Sequence, residues 1–263
     1  IRQRQHQSRI GGNQCGHEPQ NPVGHLTTIG PLMLVGHDTQ GLPDDFCGSI
    51  AKCNVQVPRL DVMRLVVLLS GSGSNFQTLI DAVAADELDV DIVAAGSDVP
   101  DAYGLTRAKT AGIETFVVDY SAYESRAAWT SALADTVAQY QPDLVLSSGL
   151  MRIVGEEFIT RFAGRFLNTH PALLPAFPGA HAVRDALRAG VVITGTTLHL
   201  VDAGLDTGPI LDQRAVPIDP NDDEASLHNK IKVAERQMLL DNLAVLATGT
   251  TPVQLIPPYA KPR

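Results

Sequence analysis

From residue 63 onward, two spacings of apolar residues take turns along the chain. Arg64–Leu69 reads RLVVLL, a continuous β-branched and leucine run, as expected for a strand covered on both faces. Phe76–Ala85 follows, with Phe76, Leu79, Ile80 and Val83 at helical spacing. The same alternation predicts strands over Asp91–Ala95, Glu114–Val118, Leu144–Ser147 and Arg165–Asn168. It predicts helices over Ala102–Ala111 closed by Gly112, over Glu124–Tyr140 stopped by Pro142, and over Val183–Ala189 closed by Gly190. Gly195–Val201 and Ile210–Ala215 read as two strands paired near an edge, and Glu224–Leu246 as a last long helix. Strands separated by helices of this length imply an α/β class, a mostly parallel twisted sheet with helices on both faces. Ligands bind such sheets beyond the carboxyl ends of the strands. Chemistry is therefore expected in the loops after Leu69, Ser148 and Asn168.

Residues 1–62 break this pattern. They are rich in Gln, Gly, Pro and His, and their best apolar run, Ile29–Val35, is interrupted by Gly30 and Pro31. This segment reads as a largely unstructured N-terminal extension ahead of a domain over 63–263, and Met63 reads as a natural start. It carries five Lys/Arg and five Asp/Glu, so the whole net charge of −9 falls on the domain. An acidic domain argues against nucleic acid or an anionic membrane as the main partner. It leaves room for one small phosphorylated ligand held by backbone amides. All three cysteines, Cys15, Cys47 and Cys53, lie in the extension. With His17 they show none of the paired spacings of a zinc site, so no metal is expected. A cysteine-free domain fits a reducing cytoplasm. The opening IRQRQHQSRIGG lacks the apolar core of a signal peptide, and no stretch reaches the roughly 18 apolar residues of a membrane helix.

Three elements at the expected strand ends carry candidate chemistry. The first is Ser70-Gly71-Ser72-Gly73-Ser74-Asn75, between a strand and a helix. Its glycines allow a sharp turn and close approach, and a helix start offers free N–H groups and the positive end of the dipole to an anion. It is neither the dinucleotide fingerprint, lacking the third Gly, nor a Walker loop. The alternative is an ordinary turn with Ser74 as N-cap. The second is Asn168-Thr169-His170-Pro171. Residues two apart in extended chain point to the same side, so an amide and an imidazole could together stabilise an oxyanion. The alternative is a loop-capping Asn and a core His. The third is Gly195–Pro209, in which Asp202 and Asp206 follow a strand in a Gly-rich loop. A carboxylate near an imidazole can take up and return protons. Asp202 alternatively serves as a turn residue, and His199 as a structural or loop-orienting donor.

Taken together, SGSGSN, SDVPDAYGLTRAKTAGI, GLMRIV, FLNTHPALLPAFPG and GTTLHLVDAGLDTGPI resemble, in order and spacing, the phosphoribosylglycinamide formyltransferase family. The resemblance runs from Met63 to about Leu255. It implies a Rossmann-like formyltransferase fold and formyl transfer from 10-formyltetrahydrofolate to the amino group of glycinamide ribonucleotide in purine synthesis. It implies two small-molecule partners, allows a homodimer, and involves no metal. By position, Asn168, His170 and Asp206 match the family's catalytic residues. Ser72, Gly73, Ser74 and Asn75 match the loop that holds the ribonucleotide phosphate, with Lys232 and Glu235 contacting phosphate and ribose. Met151, Arg152, Ile153, Val154 and Asp202 match the folate pocket, and Arg126 a basic residue near the folate tail. Ala176 and Val183 depart from the Lys and the polar residue often found there. The rival within the same chemistry is formyltetrahydrofolate deformylase, a hydrolase that shares Asn, His and Asp but has no use for a phosphate loop. Methionyl-tRNA formyltransferase would need a basic surface, and a non-catalytic nucleotide-binding module would leave Asn168, His170 and Asp206 unexplained.

Overall fold

The structure, a computed structural model, describes residues 62–249. The readings made on the N-terminal extension, its lack of order and its cysteines included, lie outside the described residues. Seven strands form one sheet: β1 (Met63–Leu69), β2 (Val90–Ser97), β3 (Thr115–Val117), β4 (Leu144–Ser147), β5 (Phe166–His170), β6 (Ile193–Leu200) and β7 (Ile210–Pro217). Their order is β3-β2-β1-β4-β5-β6-β7. The first five run parallel, whereas β6 and β7 are antiparallel to their neighbours. The chain reverses its direction of travel across the sheet between β1 and β4, which opens a crevice at their carboxyl ends.

Among the described residues six α-helices cover the sheet: α1 (Ser74–Ala84), α2 (Tyr103–Thr110), α3 (Arg126–Gln139), α4 (Glu156–Arg161), α5 (Ala182–Ala189) and α6 (Glu224–Ala247). The apolar run of β1 is divided by the pleat. Leu65, Val67 and Leu69 pack with Phe76 and Leu79 of α1, Leu105 of α2, and Met238, Leu239 and Leu243 of α6. Val66 and Leu68 pack on the opposite face with Trp129, Leu133 and Val137 of α3 and with Phe158 of α4. Trp129 is fully buried, and its indole N–H donates to the Val118 carbonyl at 2.8 Å. Burying a side chain of that size contributes about 1.5–3 kcal/mol, and the paired N–H removes the cost of a buried unsatisfied donor. The 24 residues of α6 begin at a capping box, in which Asp223 accepts from the Ser226 N–H at 2.7 Å and Ser226 accepts from the Asp223 N–H at 3.0 Å.

Three details differ from the sequence reading. Strand β5 extends through His170 instead of ending at Asn168, because the ladder with β6 pairs Asn168 with His199 and His170 with Thr197. Helix α1 begins at Ser74, with Gly73 as N-cap and no side-chain cap, so Ser74 is not the cap. Helix α4, a single short turn of helix in the segment after β4, had no sequence counterpart.

Candidate active site

The turn after β1 is fixed by its backbone. Gly73 has φ 65°, and a Cβ there would lie 2.8 Å from the Gly104 Cα, so α1 and α2 close on each other only where no side chain intervenes. Arg107 of α2 donates to the Ser72 carbonyl and to Gln77 Oε1, both at 2.8 Å, and pins the turn from outside. Ser74 and Asn75 stand in the first turn of α1, where amides have no intrahelical acceptor and the dipole favours an anion. Asn75 reaches the last helix: its Oδ1 accepts from Arg236 Nε at 3.2 Å, and its side chain faces the Glu235 carboxyl. Glu235 is buried, and it also accepts from the Thr169 hydroxyl of β5. Burial pushes the Glu235 carboxyl above its ordinary range, while Thr169, Asn75, Lys232 and Arg236 pull it back. Lys232 is half-buried one turn before Glu235.

On the other side of β5, Asn168 and His170 share the face of Phe166, as the pleat requires. The His199 ring is oriented by two bonds. Its Nδ1 donates to the Leu200 carbonyl at 2.9 Å, so its Nε2 is an acceptor and takes an N–H from Asn168 Nδ2 at 3.2 Å. Burial pushes the His199 imidazole below its ordinary 6.5, although the Leu200 bond and the Asp206 charge pull the other way. The neutral ring thus sets the Asn168 amide with its second N–H free. His170 is buried, and its Nε2 donates to the Phe177 carbonyl at 2.8 Å. That leaves His170 Nδ1 facing Asp206 Oδ2 at 3.5 Å. Asp206 is held by the Gly179 N–H at 2.8 Å, lies 3.8 Å from His199 Nε2, and adopts φ 54°. A non-glycine residue at positive φ is strained backbone of the kind that collects at functional sites. Gly208, two residues on, is buried, and a Cβ there would fall 1.9 Å from the Leu200 carbonyl oxygen.

The segment after β4 forms a rim beside this cluster. Met151 and Ile153 are 76% and 60% exposed, large apolar side chains presented to solvent, whereas Val154 packs into the α3 face. Arg152 pairs with the buried Asp98 carboxylate at 2.9 Å and lies 4.3 Å over the Tyr120 ring. Ser70 donates to the other oxygen of Asp98 at 2.5 Å and accepts from the Met151 N–H at 2.7 Å. Asp202 accepts from the Gly204 N–H at 3.0 Å and from the Thr207 hydroxyl at 2.8 Å, the bonds of a turn residue beside the cluster. Arg126 opens α3, is exposed, and makes no ion pair among the described residues.

The structure therefore brings Asn168, His170 and Asp206 together. It joins them through Thr169 and Glu235 to Asn75 and the anion-ready turn. Asp98, Arg107, Thr169 and Arg236 were not singled out by sequence. Each acts through a partner far along the chain, which no local spacing reveals. Among the described residues no group of three or more His, Cys, Asp or Glu is placed to hold a metal ion, and no helix is long and apolar enough to cross a membrane.

With this geometry in hand, comparison with known proteins is direct. Residues 63–243 match the formyl transferase family. A phosphoribosylglycinamide formyltransferase of Mycobacterium tuberculosis is 50% identical over 200 residues, covering 76% of this chain and 92% of that one. The Escherichia coli protein of the same name is 41% identical over 173 residues, covering 66% and 82%. The crystal structure of a glycinamide ribonucleotide transformylase from Symbiobacterium toebii superposes with a TM-score of 0.71 at 40% identity, covering 73% of this chain and 91% of that one. Fold, matched length and identity agree: the chain belongs to the formyl transferase family, among its phosphoribosylglycinamide formyltransferases.

Proposed function

We propose that the Asn168, His170 and Asp206 cluster moves the formyl group of 10-formyltetrahydrofolate to the amino group of glycinamide ribonucleotide. The observation that carries this reading is the connection of two sites through one strand. The face of β5 that bears Asn168 and His170 looks toward the rim of Met151–Val154, and Thr169 joins the opposite face to Glu235 and Asn75. A formyl donor on one side and a phosphorylated amine on the other would meet at the end of β5, where holding both removes much of the entropic barrier.

In the transfer, the amine attacks the formyl carbon, a C–N bond forms, and the bond from that carbon to N10 of the folate breaks. Negative charge develops on the formyl oxygen. The free N–H of Asn168, whose other N–H is held by His199, is preorganised to donate to it. His170 stands on the same face of β5, its Nε2 donating to the Phe177 carbonyl and its Nδ1 turned to Asp206, and adds to the stabilisation. Asp206 takes the proton from the attacking amine and returns it, through water or His170, to the leaving nitrogen. No side chain becomes a covalent nucleophile. Ser72, Gly73, Ser74 and Asn75 hold the phosphate, Lys232 and Glu235 the ribonucleotide, and Met151, Arg152, Ile153, Val154, Asp202 and Arg126 the folate.

The test is consumption of 10-formyltetrahydrofolate with and without glycinamide ribonucleotide. Turnover that requires the ribonucleotide and yields the formylated amine is expected. Release of formate without any acceptor would instead identify a deformylase.

A further inference from the structure

The residue between Asn168 and His170 has its own task. By the pleat, Thr169 leaves the face of its two neighbours and follows Leu167 toward α6, and Leu167 indeed packs in the α1–α6 core. There its hydroxyl donates to Glu235 Oε1. Glu235 is a buried carboxyl faced from α1 by the Asn75 side chain, and Asn75 is itself held by Arg236. We infer that Thr169 is a positioning residue of the ribonucleotide site: its hydroxyl fixes the Glu235 carboxylate and so registers the bound ribonucleotide against the formyl-transfer cluster on the same strand. This inference rests on the proposed function and assigns a role to a residue outside the catalytic cluster.

The physical basis is orientation. A buried carboxylate with one donor on each side has a defined plane and presents its free lone pairs in one direction. Remove the β5 donor, and Asn75 alone can no longer set that plane. The strand itself is unaffected, since its ladder uses backbone groups only. The groups facing Glu235 are Thr169 from β5, Asn75 from α1, and Lys232 and Arg236 from its own helix. Donation to the ionised form favours that form, so loss of the Thr169 bond raises the pH at which Glu235 ionises.

Thr169→Val keeps shape and β-branching and deletes only the hydroxyl, and Thr169→Ser keeps the hydroxyl. Steady-state formyl transfer is measured in the full chain with each substrate varied. For Thr169→Val, KM for glycinamide ribonucleotide is expected to rise about ten-fold, the scale of a hydrogen bond to a charged group. The folate KM and kcat should stay within about two-fold, and the acid limb of kcat/KM for the ribonucleotide should move to higher pH. Thr169→Ser should restore KM to within about three-fold. An unchanged KM and acid limb in Thr169→Val would overturn the inference. Equal losses in both variants would also overturn it, because packing and not the hydroxyl would then matter. Should the wild-type chain show no ribonucleotide-dependent turnover, the proposed function fails first and the inference with it.

Discussion

Asp206→Asn separates the charge of Asp206 from its shape. Asparagine tolerates positive φ almost as well as aspartate, so the 54° backbone at this position stays accessible. The amide oxygen can take the place of Oδ2 and keep the 2.8 Å bond from the Gly179 N–H. The N–H2 group then falls at Oδ1, toward His199 Nε2 at 3.8 Å. What disappears is the proton acceptor and the negative charge 3.5 Å from His170 Nδ1. Loss of a general base typically lowers rate by 10²–10⁴-fold. A drop of at least about 100-fold in kcat, about 2.7 kcal/mol of barrier, is therefore expected. The stability change should stay below about 1 kcal/mol, since the substitution keeps the side chain's shape and its one strong bond persists. The assay pairs steady-state formyl transfer under saturating substrates with thermal unfolding of the same preparation. Turnover within about ten-fold of wild type would refute the proton-transfer role, and a large loss of stability with proportionate loss of activity would make Asp206 structural.

Three further expectations can be checked separately. Asn75→Leu removes the partner shared by Arg236 and Glu235 and should weaken glycinamide ribonucleotide binding at least about ten-fold while leaving folate affinity nearly unchanged, as read by titration of each substrate. Gly73→Ala places a Cβ 2.8 Å from the Gly104 Cα at φ 65°, so the turn must shift; a loss of about 1–2 kcal/mol in denaturant unfolding and a raised ribonucleotide KM are expected. His199 titrates below its ordinary 6.5 in the folded chain, so the unfolded chain binds that proton first: its contribution to stability is complete above about pH 6.5 and is lost as pH falls from there toward the lowered folded value, by up to about 1.4 kcal/mol per pH unit in denaturant melts. An acid dependence unchanged in His199→Gln would remove His199 from that account.

Much of this architecture is legible in the sequence because burial writes itself as composition. Strand β1 lies between two helical layers, so both of its faces are apolar and the run RLVVLL is unbroken. Helix α4 escaped because a single short helix offers too few apolar positions to show a period, although Phe158 is fully buried. The sequence reading ends β5 two residues early because Thr169 and His170 are polar and Pro171 follows; only pairing with β6 makes them strand, and no local signal carries that partner. Asn168, His170 and Asp206 could be singled out because each sits in a distinctive local motif. Thr169, Asp98 and Arg236 could not, because their meaning lies in contacts with residues 66, 54 and 161 positions away.

The buried Asp98 carboxylate also bears on how the pocket moves. It takes Ser70 from the end of β1 and Arg152 from beyond β4, while Ser70 in turn holds the Met151 amide and its own amide binds the Gly149 carbonyl. Three neighbouring strand termini thus share one anchor and cannot loosen one at a time without leaving that charge exposed to an apolar surround. In hydrogen exchange, the amides of Ser70 and Met151 should therefore open in a single cooperative event with one common free energy, unlike the graded fraying of an ordinary surface loop. A rim that opens only as a unit is already shaped before any ligand arrives, so binding there carries little ordering cost.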